Sequence, residues 1–513
     1  MSIKHKKFYI TTSIAYTNAP PHIGFALELV QADVLARYHR LLGEDVFFLT
    51  GTDEHGFKIA EAAEKAGKKP EVFVDEISAQ FRKLTNILNI SNDDFIRTTD
   101  EKRHWPVVRE VWKKLEEKED LYLKDYEGWY CKGCEAFITR RKEEKGFCIN
   151  HPNIKPELVQ EKNYFFKLSK YLGKIRELIK SDEIKIIPEA RKNEILIIID
   201  QGIEDISFSR SRKKFKWGIP VPGDEENQTI YVWADALTNY ISALGYPKSK
   251  EFKKYWPANV QCVGKDILKF HSLIWPAMLL SLGIALPKTI FVHGFITADG
   301  QKMSKSLGNV IDPFELVKKY GSTRASTEPF GSELRANLLS RMSSPQAGTD
   351  AVRYFLLREI PSTGDGDFSY EKFEKRYSSD LAAGIGNLTA RLITIAAKSI
   401  PNSQFLISKQ IQNSKFQKVI NTTWKNYRKS LEGFKFNEAL VSTWNLISFC
   451  DKTINDEKPW ENSDKKINII SDLLFTLKEI AKLLQPFLPQ TSEKILKQLE
   501  TKKSEILFPI KPH

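Results

Sequence analysis

Two short segments carry side chains suited to phosphate chemistry. The first is NAPPHIGFALELVQAD, residues 18 to 33, where a Pro- and Gly-rich turn holds His22 and runs straight into a helix pattern. Backbone N–H groups at a helix start attract phosphate, Gly24 lets a ligand approach closely, and His22 can donate to a phosphoryl oxygen. The second is DGQKMSKSLGNV, residues 299 to 310, where Lys302 and Lys305 flank small hydroxyl residues in a Gly-bounded loop. Such a loop can bring two positive charges onto a leaving pyrophosphate. Each segment alone also fits a plain surface role, as a structural turn with an exposed histidine and as a solvated basic loop.

A third constellation has metal-ligand spacing. Cys131, Cys134, Cys148 and His151 read C-x2-C-x13-C-x2-H, with YCKGC shaped as a knuckle. Paired thiolates and an imidazole suit tetrahedral zinc, and a full set of four leaves no open coordination position, so one structural zinc is expected. Two unrelated reduced cysteine pairs are the alternative. Cys262 and Cys450 have no such neighbours and read as core.

These groups need elements to position them. KFYITTSI and VFFLTG read as strands, and between them Leu27, Val30, Val34, Leu35, Tyr38, Leu41 and Leu42 mark a helix that Gly43 stops. VFFLTG delivers TDEHG at its carboxyl end, where open α/β sheets bind ligands. From 121 to 222 the segments are short, lysine-rich and without βα rhythm, which reads as an insertion. The α/β rhythm resumes at TIYVWADALTNY and continues through QCVGKDILKFH and TIFVHGF, and helical periodicity dominates from 377 on. Residues 322 to 348 hold three Arg and no Lys in a Lys-dominated chain, and read as a surface insertion.

The 513 residues imply about three or four domains. Hydrophobic residues at 41% and charged residues at 28% describe a globular soluble chain. The +13 formal charge favours a polyanionic partner. The start MSIKHKKFYITTS has no apolar h-region, so no signal peptide is expected, and Phe270–Pro287 is too interrupted by prolines to read as a membrane span. A cytoplasmic setting follows as the expectation.

In this order, PHIG and KMSKS resemble the paired signatures of class I aminoacyl-tRNA synthetases. AYTNAPPHIG, VFFLTGTDEHG, KWGIPVPGD, IYVWADALTNYISALGY, VGKDILKFHSLIWPAML and NDEKPW extend the resemblance to the bacterial-type methionyl-tRNA synthetases over nearly the whole chain. The resemblance implies a Rossmann-like parallel-sheet catalytic domain in two halves, 1–120 and 223–318, split by a zinc-bearing connective insertion at 121–222. A linking segment at 319–376 and a helical anticodon-binding domain at 377–513 would follow. It implies ATP-dependent methionylation of tRNA(Met), with Mg2+ accompanying ATP. Ile14, Tyr16, Asp53, Trp233, Ala236, Tyr240, Phe270 and His271 match methionine-site positions. His22, Gly24, Gly264, Asp266 and Lys305 match ATP-site positions, with Lys302 on the same loop, and Asn387, Arg391 and Trp460 match the positions that read the anticodon. With no appended dimerising domain, a monomer is expected.

Related synthetases for Leu, Ile or Val carry a far larger editing insertion than these residues allow. A catalytically silent tRNA-binding paralogue and a free-standing zinc-dependent RNA-binding protein are the rivals of a different class. One departure bears on the first of them: the family pattern is HxGH, and Phe25 stands where its last histidine would be.

Overall fold

The computed structural model describes residues 6–131, 136–137, 155–213, 215–303, 308–321, 345–399, 411, 413–461 and 464–509. Lys305, Cys134, Cys148, His151 and residues 322–344 lie outside the described residues. The chain forms two compact units. One comprises Met1–Pro21, Leu42–Lys83 and Asn92–His293, the other His22–Leu41, Leu84–Ser91 and Gly294–His513.

The first unit is built on seven strands: β1 (Lys7–Thr11), β2 (Ala15–Tyr16), β3 (Asp45–Asp53), β4 (Asp94–Arg97), β5 (Lys185–Ile187), β6 (Val260–Gly264) and β7 (Thr289–His293). Every pairing among them is parallel. Thr52 pairs with Ala15 of β2 and with Arg97 of β4, so these two flank opposite edges of β3. Strand β2 thus continues β1 along one edge, and the order across the sheet is β4-β3-β1-β6-β7-β5. The strands are apolar on both faces, as a covered parallel sheet requires, and β6 is buried at all its positions. Gly51 in mid-β3 has a packing reason, since a Cβ there would lie 2.1 Å from the Ile96 carbonyl oxygen of β4.

Two elements depart from the sequence reading. Strand β5 comes from inside the 121–222 segment yet pairs in parallel with β7, so this stretch contributes an edge to the main sheet. Three residues, KII, are too short a run to show that pairing in advance. Residues Gln228–Ile230 pair antiparallel with Ser209–Ser211 rather than joining the parallel sheet. The rest of the segment forms an antiparallel sheet of Ala136–Phe137, Leu121–Cys131, Glu157–Phe166 and Ile206–Ser207, in that order.

The second unit is mostly helical: α1 (Ile23–Leu41), α2 (Pro313–Gly321), α3 (Pro345–Arg358), α4 (Asn387–Ser399), α5 (Ser414–Glu432), α6 (Phe436–Glu457), α7 (Asp464–Leu484) and α8 (Pro489–Thr501). It also holds a small sheet in which β8 (Ile296–Ala298) pairs antiparallel with β9 (Gln301–Lys302) and parallel with β10 (Gly366–Phe368). Leu473, Leu477, Ile480 and Leu484 form the buried stripe of α7, at helical spacing. Residues 345–348 form the first turn of α3. Gly348 explains why: a Cβ there would meet the Val317 carbonyl oxygen at 2.1 Å and the Gly321 nitrogen at 2.6 Å, so α3 rests directly on α2.

One charged cluster ties these helices together. Arg353 of α3 is fully buried and donates through Nη1 to Asp33 of α1 at 2.8 Å. It also donates to the carbonyls of Phe487, Pro486 and Leu88 at 2.8, 2.9 and 3.1 Å. Asp33 additionally accepts from Arg37 Nε and from the Ser91 N–H at 2.7 Å each. Burial alone would raise the Asp33 pKa, but Arg353, Arg37 and Ser91 outweigh it and hold the carboxylate below its ordinary range. Replacing Arg353 by Ala removes the main counter-charge of a buried carboxylate. We expect about 3–5 kcal/mol of stability to be lost, read by urea unfolding at neutral pH.

Candidate functional site

All strands of the main sheet run parallel, so Tyr16, Asp53 and Gly264 emerge at one edge, at the carboxyl ends of β2, β3 and β6. Tyr16 and Asp53 are register partners, which puts their side chains on the same face. The Tyr16 hydroxyl lies over Gly56, whose φ of 140° and missing side chain both serve that approach: a Cβ there would sit 2.0 Å from the oxygen. Asp53 is 7% exposed.

The two residues after Asp53 are fixed by buried charge. Glu54 takes Arg97 bidentately at 2.7 and 2.8 Å, accepts from Thr52 Oγ1 at 2.6 Å, and gives its carbonyl to Trp217 Nε1 at 2.6 Å. His55 Nδ1 meets Asp235 Oδ2 at 2.7 Å, while the other oxygen of Asp235 meets His104 Nε2 at 2.7 Å. The remaining nitrogen of His104 bonds Ser242 Oγ at 2.7 Å. Burial pushes Asp235 up, but the two histidines prevail and its carboxyl stays below the usual range. Asp235 belongs to the Val232–Leu237 helix, so this clamp holds TDEHG against the helix that carries Trp233 and Ala236.

Those side chains form the other wall. Trp233 stacks flat on Phe270, with ring centroids 3.7 Å apart and planes within 7°. His271 stands edge-on to both Trp233 and Tyr240. Its Nδ1 faces the Ile267 carbonyl at 3.0 Å and so carries the proton, leaving Nε2 to accept from the Tyr240 hydroxyl at 2.7 Å. Burial lowers the His271 pKa to about 4, so the ring is neutral at physiological pH. Ile14, Tyr16 and Trp233 pack against the same hydrophobic core. The result is an aromatic wall beside a carboxylate, chemistry that fits a small ammonium compound with a soft apolar side chain. Past β6, the Asp266 carboxylate lies over Gly264, where a Cβ would come within 2.7 Å of Oδ1.

In the second unit the structure brings the two phosphate-type segments together. The Ile23 N–H donates to the Ile311 carbonyl at 3.2 Å, tying the start of α1 to the end of the KMSKS segment. Asp299 and Gly300, at φ 50° and 73°, make the tight turn between β8 and β9 that delivers Lys302, which is exposed. The reading of α1 as a main-chain anion site needs correction. The N–H groups of Ile23, Gly24, Phe25 and Ala26 bond to Ile311 O, His22 Nδ1, His22 O and His22 O. No donor of that first turn is left over for phosphate. The His22 ring is fixed by the helix start: Nδ1 accepts from the Gly24 N–H at 3.1 Å, so the ring proton sits on Nε2. Although His22 is exposed on one side, the protein around the ring desolvates it and lowers its pKa. A Cβ at Gly24 would meet the ring at 2.9 Å.

Farther along this unit, Arg391 of α4 donates to Asn455 Oδ1 at 2.8 Å and stands 5.6 Å from the centroid of the Trp460 ring, itself 49% exposed. Asn387 is exposed one turn earlier on α4. Of the zinc set, only Cys131 is described; it is buried at the end of its strand and pairs with Ala136. Among the described residues no cluster of three or more candidate metal ligands occurs. Sequence reasoning missed Glu54, His55, Arg97, His104, Asp235 and Ser242. A Glu-His pair just past an apolar strand was the available signal, but its partners lie far away in the chain.

Comparison with known proteins agrees with this geometry. A family model described as tRNA synthetases class I (M) matches residues 8–151, 145–324 and 337–393, and an anticodon-binding domain of tRNA ligase matches 414–512. The methionine–tRNA ligase of Thermotoga maritima is 40% identical over 96% of this chain and 75% of its own length. That of Brucella suis is 38% identical over 96% and 92%. A structure of Mycobacterium tuberculosis methionyl-tRNA synthetase in complex with methionyl-adenylate superposes with a TM-score of 0.85 at 33% identity, covering 98% of this chain and all of that one. The free form of the same protein gives 0.77 at 31% identity, covering 97% and 92%.

The buried imidazole makes a pH-dependent contribution to the fold. His271 titrates near 6.5 when unfolded and at about 4 when folded. Between these values the unfolded chain binds the proton, so stability falls as pH falls. We expect His271→Asn to flatten the unfolding free energy between pH 6.5 and pH 5 by about 2 kcal/mol, measured by urea titration at each pH.

Proposed function

This chain belongs to the class I methionyl-tRNA synthetases, and we propose that it activates L-methionine with ATP and transfers it to tRNA(Met) by the residues set out above. The observation that supports the proposal is the main-chain bond between Ile23 and Ile311, which ties PHIG to the residue that follows the 299–310 segment.

In the first step the methionine carboxylate attacks the α-phosphorus of ATP, and pyrophosphate leaves. Asp53 pairs with the α-ammonium, while Trp233, Phe270, Tyr240 and the neutral His271 enclose the thioether, with Ile14, Tyr16 and Ala236 completing the pocket. An uncharged imidazole matters here, because a cation beside an apolar side chain would hold water in the site. Gly264 gives the nucleotide room, and Asp266 accepts the ribose hydroxyls. His22 donates from Nε2 to a phosphoryl oxygen, and Lys302 with Lys305 stabilises the departing charge. Mg2+ bound to ATP neutralises part of the polyphosphate charge. In the second step the terminal ribose hydroxyl of the tRNA displaces AMP from the adenylate. No enzyme nucleophile enters either step, and rate comes from positioning and charge stabilisation.

Asn387, Arg391 and Trp460 are proposed to read the anticodon. An exposed tryptophan flanked by a guanidinium is suited to stacking on an unpaired base. Cys131, Cys134, Cys148 and His151 are proposed to hold one structural zinc, a reading supported by the donor set and by burial of Cys131 at a strand end. We place the protein in the cytoplasm as a monomer; no helix among the described residues is long and apolar enough to cross a membrane.

Methionine-dependent ATP–pyrophosphate exchange tests the first step directly, and a folded, zinc-loaded sample without exchange overturns the ligase reading. Gly24→Ala pushes the His22 ring off its position, so exchange is expected to slow about 100-fold while methionine binding is unchanged. Phe25→His adds a donor to a helix start whose own N–H groups are occupied. It is expected to raise the exchange rate at least about tenfold, and an unchanged rate would show that another group already fills the role.

A further inference from the structure

Helix α5 combines an uncompensated charge with a position that none of the assigned residues explains. Lys418, Lys425, Arg428 and Lys429 are exposed on it, and none has a carboxylate partner among the described residues. The only acid on the helix is Glu432, and residues 400–412, which precede it in the chain, contain none. Lys425, Arg428 and Lys429 stand three and four residues apart, where like charges repel across one helix face. Elsewhere in the same bundle lysines are matched, as Lys482 is by Glu479 and Lys466 by Glu461. Lys425, Arg428 and Lys429 border an open cleft of about 540 Å³ with Asn421, Trp424 and, at one end, Glu432. The Arg428 guanidinium lies 5.5 Å from the Trp424 ring, whose Nε1 is fixed to Glu479 at 2.9 Å.

The two ends of α5 show where the helix lies in the bundle. At its start Phe416 packs on Phe449 of α6, the helix that supplies Asn455 to Arg391 and ends just before Trp460. At its other end Tyr427 packs on Tyr38, in the last turn of α1. The basic positions Lys418 to Lys429 therefore span roughly 16 Å along the bundle, on the side of α5 away from the buried Phe416 and Tyr427. That face is complementary in charge to a polyanion lying along the helix.

We propose that the exposed face of α5 around Lys425, Arg428 and Lys429 is a binding site for the phosphate backbone of the tRNA, separate from the residues that read the anticodon. It rests on the ligase reading above. Lysine and arginine heads without internal partners can each replace a counterion on a phosphate, and Asn421 adds a neutral donor. Such contacts contribute affinity and register but no base selectivity.

The test uses the full chain and a tRNA(Met) transcript, with dissociation constants measured across a salt series. The variant Lys418→Gln/Lys425→Gln/Arg428→Gln/Lys429→Gln is compared with the parent and with Trp460→Ala. Its thermal unfolding midpoint reports that the fold survives, and Lys425→Gln/Lys429→Gln serves if the fourfold variant does not. The expected result is binding weakened at least about tenfold at low salt, with a log–log salt slope shallower by up to about 3 and unchanged discrimination against an altered anticodon. Trp460→Ala is expected to lose that discrimination and keep the slope. Parent-like slope and affinity in the fourfold variant overturn this inference and leave the ligase reading intact. No RNA binding by the parent overturns both. Loss of anionic-vesicle binding in the variant, with RNA binding unaffected, overturns it in favour of a membrane surface.

Discussion

Asp235 is a carboxylate with almost no contact with water, and the amino-acid pocket depends on how its charge is met. A buried ion costs several kcal/mol unless paired and hydrogen-bonded. Here both oxygens are taken by histidine nitrogens, His55 from the segment after β3 and His104 from the turn before the Trp105–Glu117 helix. Because a loss of either partner would strand the charge, the three segments cannot shift independently. That rigidity is what the chemistry needs. Asp53 sits two residues before His55, and Trp233 two residues before Asp235, so the clamp sets the spacing between the carboxylate and the aromatic wall. Glu54 and Arg97 repeat the device on the neighbouring residue. Thus the residues proposed to face the pocket are held by residues that do not.

The second unit applies the same constraint to α1. Its middle is held by Asp33 against Arg353, and Arg353 spends its other donors on carbonyls at 88, 486 and 487. Its start is held by Ile311. The His22 ring is then oriented by the one N–H of Gly24, with no side-chain Cβ to displace it. Asp350, three residues before Arg353, accepts both the N–H and the hydroxyl of Thr491 at 2.6 Å, capping α8 from a neighbouring helix. Through α3 the helix bearing His22 and the C-terminal bundle share buried polar partners, so neither can be repacked without the other.

How much of this was legible follows from the range of each interaction. Helix α1 was readable from Leu27 to Leu41 because its pattern is local. The chemistry-bearing residues around Asp53, Trp233 and His271 were reached through resemblance, since an aromatic pair such as Trp233 and Phe270 looks like ordinary core in isolation. The clamp was not legible at all. His55 and Asp235 are separated by 180 positions, and no periodicity links residues whose only relation is shared burial. Strand β5 was missed for the opposite reason: its three residues carry too little pattern, and only the vacant edge of β7 makes them a strand. That 345–348 are helical was not read, because composition changes at 322 and returns to type gradually, whereas the contact of α3 with α2 is set by the single residue Gly348.

The occupied helix start changes what Phe25 means. Were the first N–H groups of α1 open to solvent, they could serve a phosphate and a missing imidazole would be one lost donor among several. They are not open: all four point at protein acceptors, two of them at the His22 carbonyl. What the helix can still offer is its dipole, which acts without a free donor, and the Nε2–H of a single imidazole. A benzyl group at Phe25 can donate nothing. In the proposed mechanism the burden of phosphate charge therefore falls on the lysines of the 299–310 segment, of which Lys302 is exposed in β9. The proposed division of labour, in which His22 positions the phosphate and the KMSKS lysines carry its charge, follows from which N–H groups the fold had already used.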